Sequence, residues 1–132
     1  MKITIIGTGY VGLVSGVCLS EIGHDVTCID SNPKVVNALK RGKVTFYEPG
    51  MKKLILKNIQ RKRLKFTNSY KIGTEKSNIF FICVGTPSNK NGSCNTKYIK
   101  NVAKSLAKSI HQDSIIFVKS TVPVGTCKLV EN

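Results

Sequence analysis

An α/β chain built on a doubly wound parallel sheet of about five strands is predicted by three observations. An apolar run, Lys2-Ile3-Thr4-Ile5-Ile6, enters the G-x-G-x-x-G turn Gly7-Thr8-Gly9-Tyr10-Val11-Gly12 and leaves it into residues of helical pattern. Four further apolar runs of strand length alternate with helical segments along the 132 residues. The runs end on glycine or small polar residues, at Gly7, Asp30, Gly85-Thr86 and Ser120-Thr121. Right-handed crossovers convert this alternation into strand order 3-2-1-4-5, with those tips lining one crevice at the carboxyl edge.

Each element follows from its residues. After the first strand, Gly7 serves the tight turn, Gly9 lets backbone approach a pyrophosphate, and Gly12 lets helix pack on strand. A side chain at any of the three is expected to intrude. The N–H groups of residues 9–12 and the positive end of a helix over 13–22 then face the phosphates, the dipole contributing roughly 0.3–2 kcal/mol. A second run, 26–29, ends at Asp30, close to the ~20 residues past the glycines where an acid takes the adenosine ribose hydroxyls. The alternative for Asp30 is a solvated acid closing a strand. As a ribose ligand it selects NAD over NADP, since a carboxylate about 4 Å from a 2′-phosphate costs on the order of 4 kcal/mol at an effective dielectric near 20. Neither Ser31 nor Asn32 supplies an arginine to relieve that repulsion.

Asn32 is placed to cap a helix with Pro33 at its first position and Val35, Val36 and Leu39 on one face, stopped by Gly42. Residues 43–50 form an irregular loop, 51–59 a helix and 64–67 a short strand. Residues 78–84 are almost wholly apolar, as in a strand covered on both faces, and end at Gly85-Thr86-Pro87. A polar loop, 88–95, precedes a helix over 96–110 with Ile99, Val102, Ala103, Leu106, Ala107 and Ile110 on one side. The last strand, 114–118, delivers Lys119-Ser120-Thr121-Val122-Pro123-Val124-Gly125.

Composition narrows the function. A chain of 132 residues with 41% apolar and 21% charged residues makes one domain that buries roughly two thirds of its unfolded surface. No apolar run approaches the ~20 residues of a membrane helix. The chain opens directly on a strand, so no targeting segment is expected and the cytoplasm is the predicted location. The formal net charge of +14 is dispersed, with Lys97, Lys100, Lys104 and Lys108 at helical spacing on an outer face. Only Arg61-Lys62-Arg63 with Lys57 and Lys65 is dense. Screened over about 8 Å, dispersed charge defines no site, and no nucleic-acid partner is predicted. Five cysteines, an odd number without C-x-x-C spacing, form neither a disulfide framework nor a zinc site. Three lie in apolar segments, where a thiol behaves as a small buried hydrophobe, and no metal is predicted.

Four motifs in order, Gly7 to Leu13, Tyr47-Glu48-Pro49-Gly50, Val84-Gly85-Thr86-Pro87-Ser88 and Lys119 to Gly125, resemble the UDP-glucose/GDP-mannose dehydrogenase family over essentially all 132 residues. The resemblance implies a Rossmann-type NAD-binding domain of a cytosolic enzyme that oxidises the 6-hydroxymethyl of UDP-glucose to a carboxylate with two NAD and one water. It implies that Gly7, Gly9, Tyr10, Val11 and Gly12 hold the pyrophosphate, Asp30 the adenosine ribose, and Lys34, Thr86 and Thr121 contact the cofactor. Thr121 is also implied to lie at the nicotinamide and help hold a catalytic water, the one catalytic residue expected here. For Thr86 and Thr121 the alternative is a hydroxyl that satisfies loop backbone. Two positions depart from the family pattern: Val35 stands where a lysine is usual, with Lys34 one residue earlier, and Thr45 stands where proline is common.

The family's catalytic cysteine and sugar-reading residues fall beyond position 132, so an incomplete domain, inactive alone, is expected, with a homo-oligomer for the full-length protein. A sister nucleotide-sugar dehydrogenase acting on GDP-mannose or a UDP-N-acetylhexosamine, and a non-catalytic NAD-binding module, are the rival readings.

Overall fold

Five strands form a single parallel sheet in the order β3-β2-β1-β4-β5, as the alternation predicts. The computed structural model describes residues 1–111 and 113–131; Asn132, the predicted domain end, lies outside them. The strands are β1 (Lys2–Ile6), β2 (Asp25–Ile29), β3 (Leu64–Thr67), β4 (Ile79–Ile82) and β5 (Ile115–Val118). Between and after them lie α1 (Tyr10–Glu21), α2 (Pro33–Lys40), α3 (Met51–Gln60), α4 (Tyr70–Thr74), α5 (Lys97–Ser109) and α6 (Thr126–Glu131). In register, Ile6 sits beside both Ile29 and Ile82, and Ile82 beside Val118, so the loops leaving β1, β2, β4 and β5 emerge at one edge.

Alternation along β1 divides the core. Ile3 and Ile5 pack with Leu13 and Val17 of α1, Val36 and Leu39 of α2 and Ile55 of α3. Ile6 points the other way, with Phe80 and Ile82, onto Ile99, Val102 and Leu106 of α5. Both sets are essentially excluded from water, at roughly 1.5–3 kcal/mol for each large side chain buried. The predicted cap is present: Asn32 accepts from the Lys34 amide at 3.0 Å with Pro33 next to it.

The differences have local causes. The helices α4 and α6 are absent from the sequence prediction because five and six residues show no period to read. On α5, Ile99, Val102 and Leu106 carry the buried stripe while Ala107 is exposed, having rotated past it, and the four lysines face outward as predicted. β4 is not covered on both faces among the described residues. The crossovers through α1 to α3 all fall over β1, β2 and β3, which leaves Ile79 and Phe81 half-buried and Ile115 and Phe117 of β5 57% and 47% exposed. Phe81 and Phe117 stack there with ring centroids 4.8 Å apart.

Candidate functional site

The glycine turn is built almost entirely of backbone. Gly7 has φ +96°, and a Cβ there would also meet the Cys83 carbonyl oxygen at 2.8 Å. The helix α1 begins at Tyr10 rather than at residue 13, so the second half of the turn is already helical. Gly9 is its N-cap, and the first intrahelical bond runs from the Leu13 amide to the Gly9 carbonyl at 2.9 Å. The amides of Tyr10, Val11 and Gly12 therefore precede the hydrogen-bonded ladder. No side chain caps them and no acid occupies the first turn. Such a terminus suits an anion.

The three glycines separate in role. At Gly12 a Cβ would lie 1.9 Å from the Gly7 oxygen and 3.0 Å from the Cys83 Cβ, whereas at Gly9 nothing lies within 4 Å. The expectation that a side chain intrudes at all three thus needs correction: at Gly9 it would meet only a bound molecule, because the protein leaves that space open.

Asp30, at the tip of β2, reaches back to the turn. Its Oδ2 accepts from the Thr8 amide at 3.0 Å and the Thr8 hydroxyl at 2.6 Å, while Oδ1 accepts from the Asn32 amide at 2.9 Å. Thr8 is buried and is a site residue that the sequence reading misses; a hydroxyl inside the glycine turn is the signal that marks it. The turn and Asp30 line a cleft of about 470 Å³ whose far wall is Tyr70 of α4 with Tyr98, Asn101 and Ser105 of α5. Burial raises the Tyr70 phenol above its ordinary range; a hydrogen bond with Ser105 opposes this and the charge of Asp30 adds to it. This wall also escaped the sequence prediction, since it depends on α4 and on which side of α5 meets the cleft. An open Gly9 beside an anchored carboxylate fits a dinucleotide: unpaired amides for phosphate and a carboxylate for ribose hydroxyls.

The remaining predicted residues distribute unevenly. Thr86 and Thr121 stand beyond the ends of β4 and β5, at the same edge as the glycine turn, and the Thr86 hydroxyl donates to the Thr121 carbonyl at 2.9 Å. Satisfying loop backbone is thus a task that Thr86 does perform. Lys34 is exposed in the first turn of α2 and is not part of the cleft lining. Val35 is partly buried and packs against the core. Val11 is 47% exposed at the start of α1. The Tyr10 hydroxyl donates to Glu48 Oε2 at 2.7 Å, and that carboxylate, by hydrogen bond and then by charge, raises the phenol above its ordinary range.

The burial expected of three cysteines is met at two, Cys28 and Cys83; Cys18 and Cys127 are exposed and Cys94 partly so. Burial pushes the Cys28 thiol up and the Cys83 thiol up to about 11, with the charge of Lys119 opposing the latter. Both therefore stay protonated at neutral pH, the reverse of nucleophile activation. A thiol reagent is therefore expected to modify the exposed Cys18 and Cys127 well before the buried Cys83, whose thiol is also held protonated. Cys83 should gain reactivity as pH rises toward 11. Mass mapping of the labelled protein checks this, and equal labelling of Cys83 and Cys18 at pH 8 would refute the environment described.

Similarity to known proteins agrees with this geometry. Residues 1–132 match the model of the UDP-glucose/GDP-mannose dehydrogenase family, NAD binding domain. UDP-glucose 6-dehydrogenase YwqF of Bacillus subtilis (strain 168) is 48% identical over 98% of this chain and 30% of its own length. The UDP-glucose 6-dehydrogenase of Rhizobium meliloti (strain 1021) is 44% identical over 99% and 30%. Among solved structures, GDP-mannose dehydrogenase from Pseudomonas aeruginosa, a ternary complex, superposes with TM-score 0.93 at 38% identity, covering 98% of this chain and 30% of that one. The chain spans about 30% of the length of the curated relatives it matches. A match along every residue, on a sheet whose glycine turn and Asp30 form one cleft, shows that the chain belongs to the UDP-glucose/GDP-mannose dehydrogenase family as its NAD-binding domain.

Proposed function

We propose that this domain provides the NAD site of an enzyme that oxidises UDP-glucose at position 6. The observation that carries the substrate is the 48% identity to a UDP-glucose 6-dehydrogenase. The observation that carries the binding mode is the carboxylate of Asp30 hydrogen-bonded to Thr8 beside an open Gly9. In this reading the amides of Gly9, Tyr10, Val11 and Gly12 receive the pyrophosphate and Asp30 the adenosine ribose. Gly7 holds the turn, and Lys34, exposed in the first turn of α2, contributes positive charge near the cofactor without lining the cleft. Thr86 and Thr121 border the nicotinamide end, with Thr121 placed to help hold a water. Their support is position: the Thr86 hydroxyl ties the loop after β4 to the Thr121 carbonyl after β5, and although neither threonine lines the cleft, Val84 and Gly85 just before Thr86 do. Bound NAD supplies the hydride acceptor; the chain's part is to bind and orient it.

The five free thiols fit a reducing compartment, the cytoplasm, and no described helix is long and apolar enough to cross a membrane. A GDP-mannose substrate is the second reading, favoured by the TM-score of 0.93 to a GDP-mannose dehydrogenase.

Calorimetry on the 132-residue chain is expected to show NAD binding, with NADP weaker by two orders of magnitude or more, as about 4 kcal/mol of repulsion implies. The same chain is expected to give no NADH from UDP-glucose, because it spans about 30% of the length of its relatives and the family resemblance places the sugar-reading residues in the part it does not span. Failure to bind NAD would overturn the site assignment; NADH formation would overturn its dependence on further residues.

A further inference from the structure

The glycine turn is anchored at both ends by carboxylates from other segments. On one side of Gly9, Asp30 holds the Thr8 amide and hydroxyl; on the other, Glu48 accepts from the Tyr10 hydroxyl at 2.7 Å. Gly9 itself, with no side chain and nothing within 4 Å, spans the gap. Glu48 belongs to loop 43–50, which has no regular structure of its own but is fixed at several points. Val44 and Phe46 are partly buried on the core. The Phe46 ring lies 4.9 Å from the Tyr10 ring, tilted by 53°. The Glu48 carbonyl accepts from the Met51 amide at 3.2 Å as α3 begins. Tyr10 is thus a junction, its amide turned to the unpaired end of α1 and its side chain tied to a separate loop.

We infer that Tyr10 and Glu48 are positioning residues for cofactor binding: their hydrogen bond latches loop 43–50 to the glycine turn and holds the amides of residues 10–12 in the orientation the pyrophosphate requires. This rests on the reading that the turn receives the pyrophosphate. Asp30 fixes the half of the turn nearest the adenosine; the latch fixes the half at the start of the helix. Preorganised donors bind an anion better than donors that must first be ordered.

Simple electrostatics gives the opposite sign. Removing a negative charge near an anion site favours anion binding by Coulomb's law, so loss of Glu48 should tighten NAD binding unless the latch dominates.

Calorimetric titration of the full chain with NAD and, separately, with AMP separates these effects. Tyr10→Phe and Glu48→Ala are each expected to weaken NAD binding by roughly three- to tenfold, the scale of one ordinary intramolecular hydrogen bond, since the pair is exposed and acts on the amides indirectly. Tyr10→Phe/Glu48→Ala together should be no weaker than the worse single variant, as for two ends of one bond. Glu48→Gln, which keeps an acceptor, should recover part of the loss. AMP, which has one phosphate and depends on the Asp30 side, should bind all variants within about twofold of wild type. The latch is overturned if either single variant binds NAD as well as or better than wild type, if the losses add, or if AMP weakens in parallel with NAD. Wild type that binds AMP but not NAD would instead remove the pyrophosphate assignment, and the latch with it.

Discussion

Gly12→Ala is expected to destabilise the fold by at least about 3 kcal/mol, at or beyond the upper end of overpacking costs, and to abolish NAD binding with it. The added Cβ would lie 1.9 Å from the Gly7 carbonyl oxygen. That oxygen is backbone, and the Gly7 amide donates to the Ile29 carbonyl at 2.8 Å. No rotamer change can relieve the contact; the start of α1 must lift off β1. Gly9→Ala is the matched control. Gly9 has φ −65° and ψ −171°, which alanine adopts freely, and its Cβ would meet no protein atom within 4 Å. Stability should change by less than about 1 kcal/mol, whereas NAD affinity should fall tenfold or more because the methyl occupies the open space beside the helix N-terminus. Urea denaturation and NAD titration of both variants check the pair. A Gly12→Ala protein as stable as wild type would show that the close approach of α1 to β1 is not as described.

Asp30→Ala is expected to weaken NAD binding by about 10- to 100-fold, the loss of hydrogen bonds to a charged group at roughly 1.5–3 kcal/mol. It should also narrow the preference for NAD over NADP, because the repulsion against a 2′-phosphate disappears while the loss of a ribose acceptor affects only NAD. Part of the affinity loss is indirect, since Asp30 also holds Thr8 and Asn32. Asp30→Asn separates the parts: its one side-chain oxygen can still accept from Thr8, so the glycine turn stays anchored, but the carboxylate charge is gone and the amide nitrogen cannot accept from Asn32. Affinity intermediate between wild type and Asp30→Ala, with NADP discrimination already lost, is the expected pattern. Unchanged NAD affinity in Asp30→Ala would remove Asp30 from the ribose site.

These two expectations differ in how far the sequence anticipates them. Asp30 was identifiable from spacing alone, because the end of a second strand beside a glycine turn is fixed by the βαβ unit. That Gly12 is set by packing within the protein, and Gly9 only by an occupant, required coordinates: both are glycines in the same motif, and the difference lies in which atoms stand opposite. Similarly, Cys28 and Cys83 share composition-level expectations with Cys18, yet Cys18 falls on the outer side of α1.

The order of residues along this chain determined the parallel sheet, its strand order, the glycine turn and the acid beside it, because strand and helix periods, caps and crossover handedness are local or pairwise constraints. Tertiary structure alone decided the rest of the cleft. Tyr70 comes from a helix too short to announce itself, Tyr98, Asn101 and Ser105 from the side of α5 that meets the cleft, and the Tyr10–Glu48 pair from segments 38 positions apart. Such partners are set by the distances between elements after packing, which no periodicity along the chain encodes.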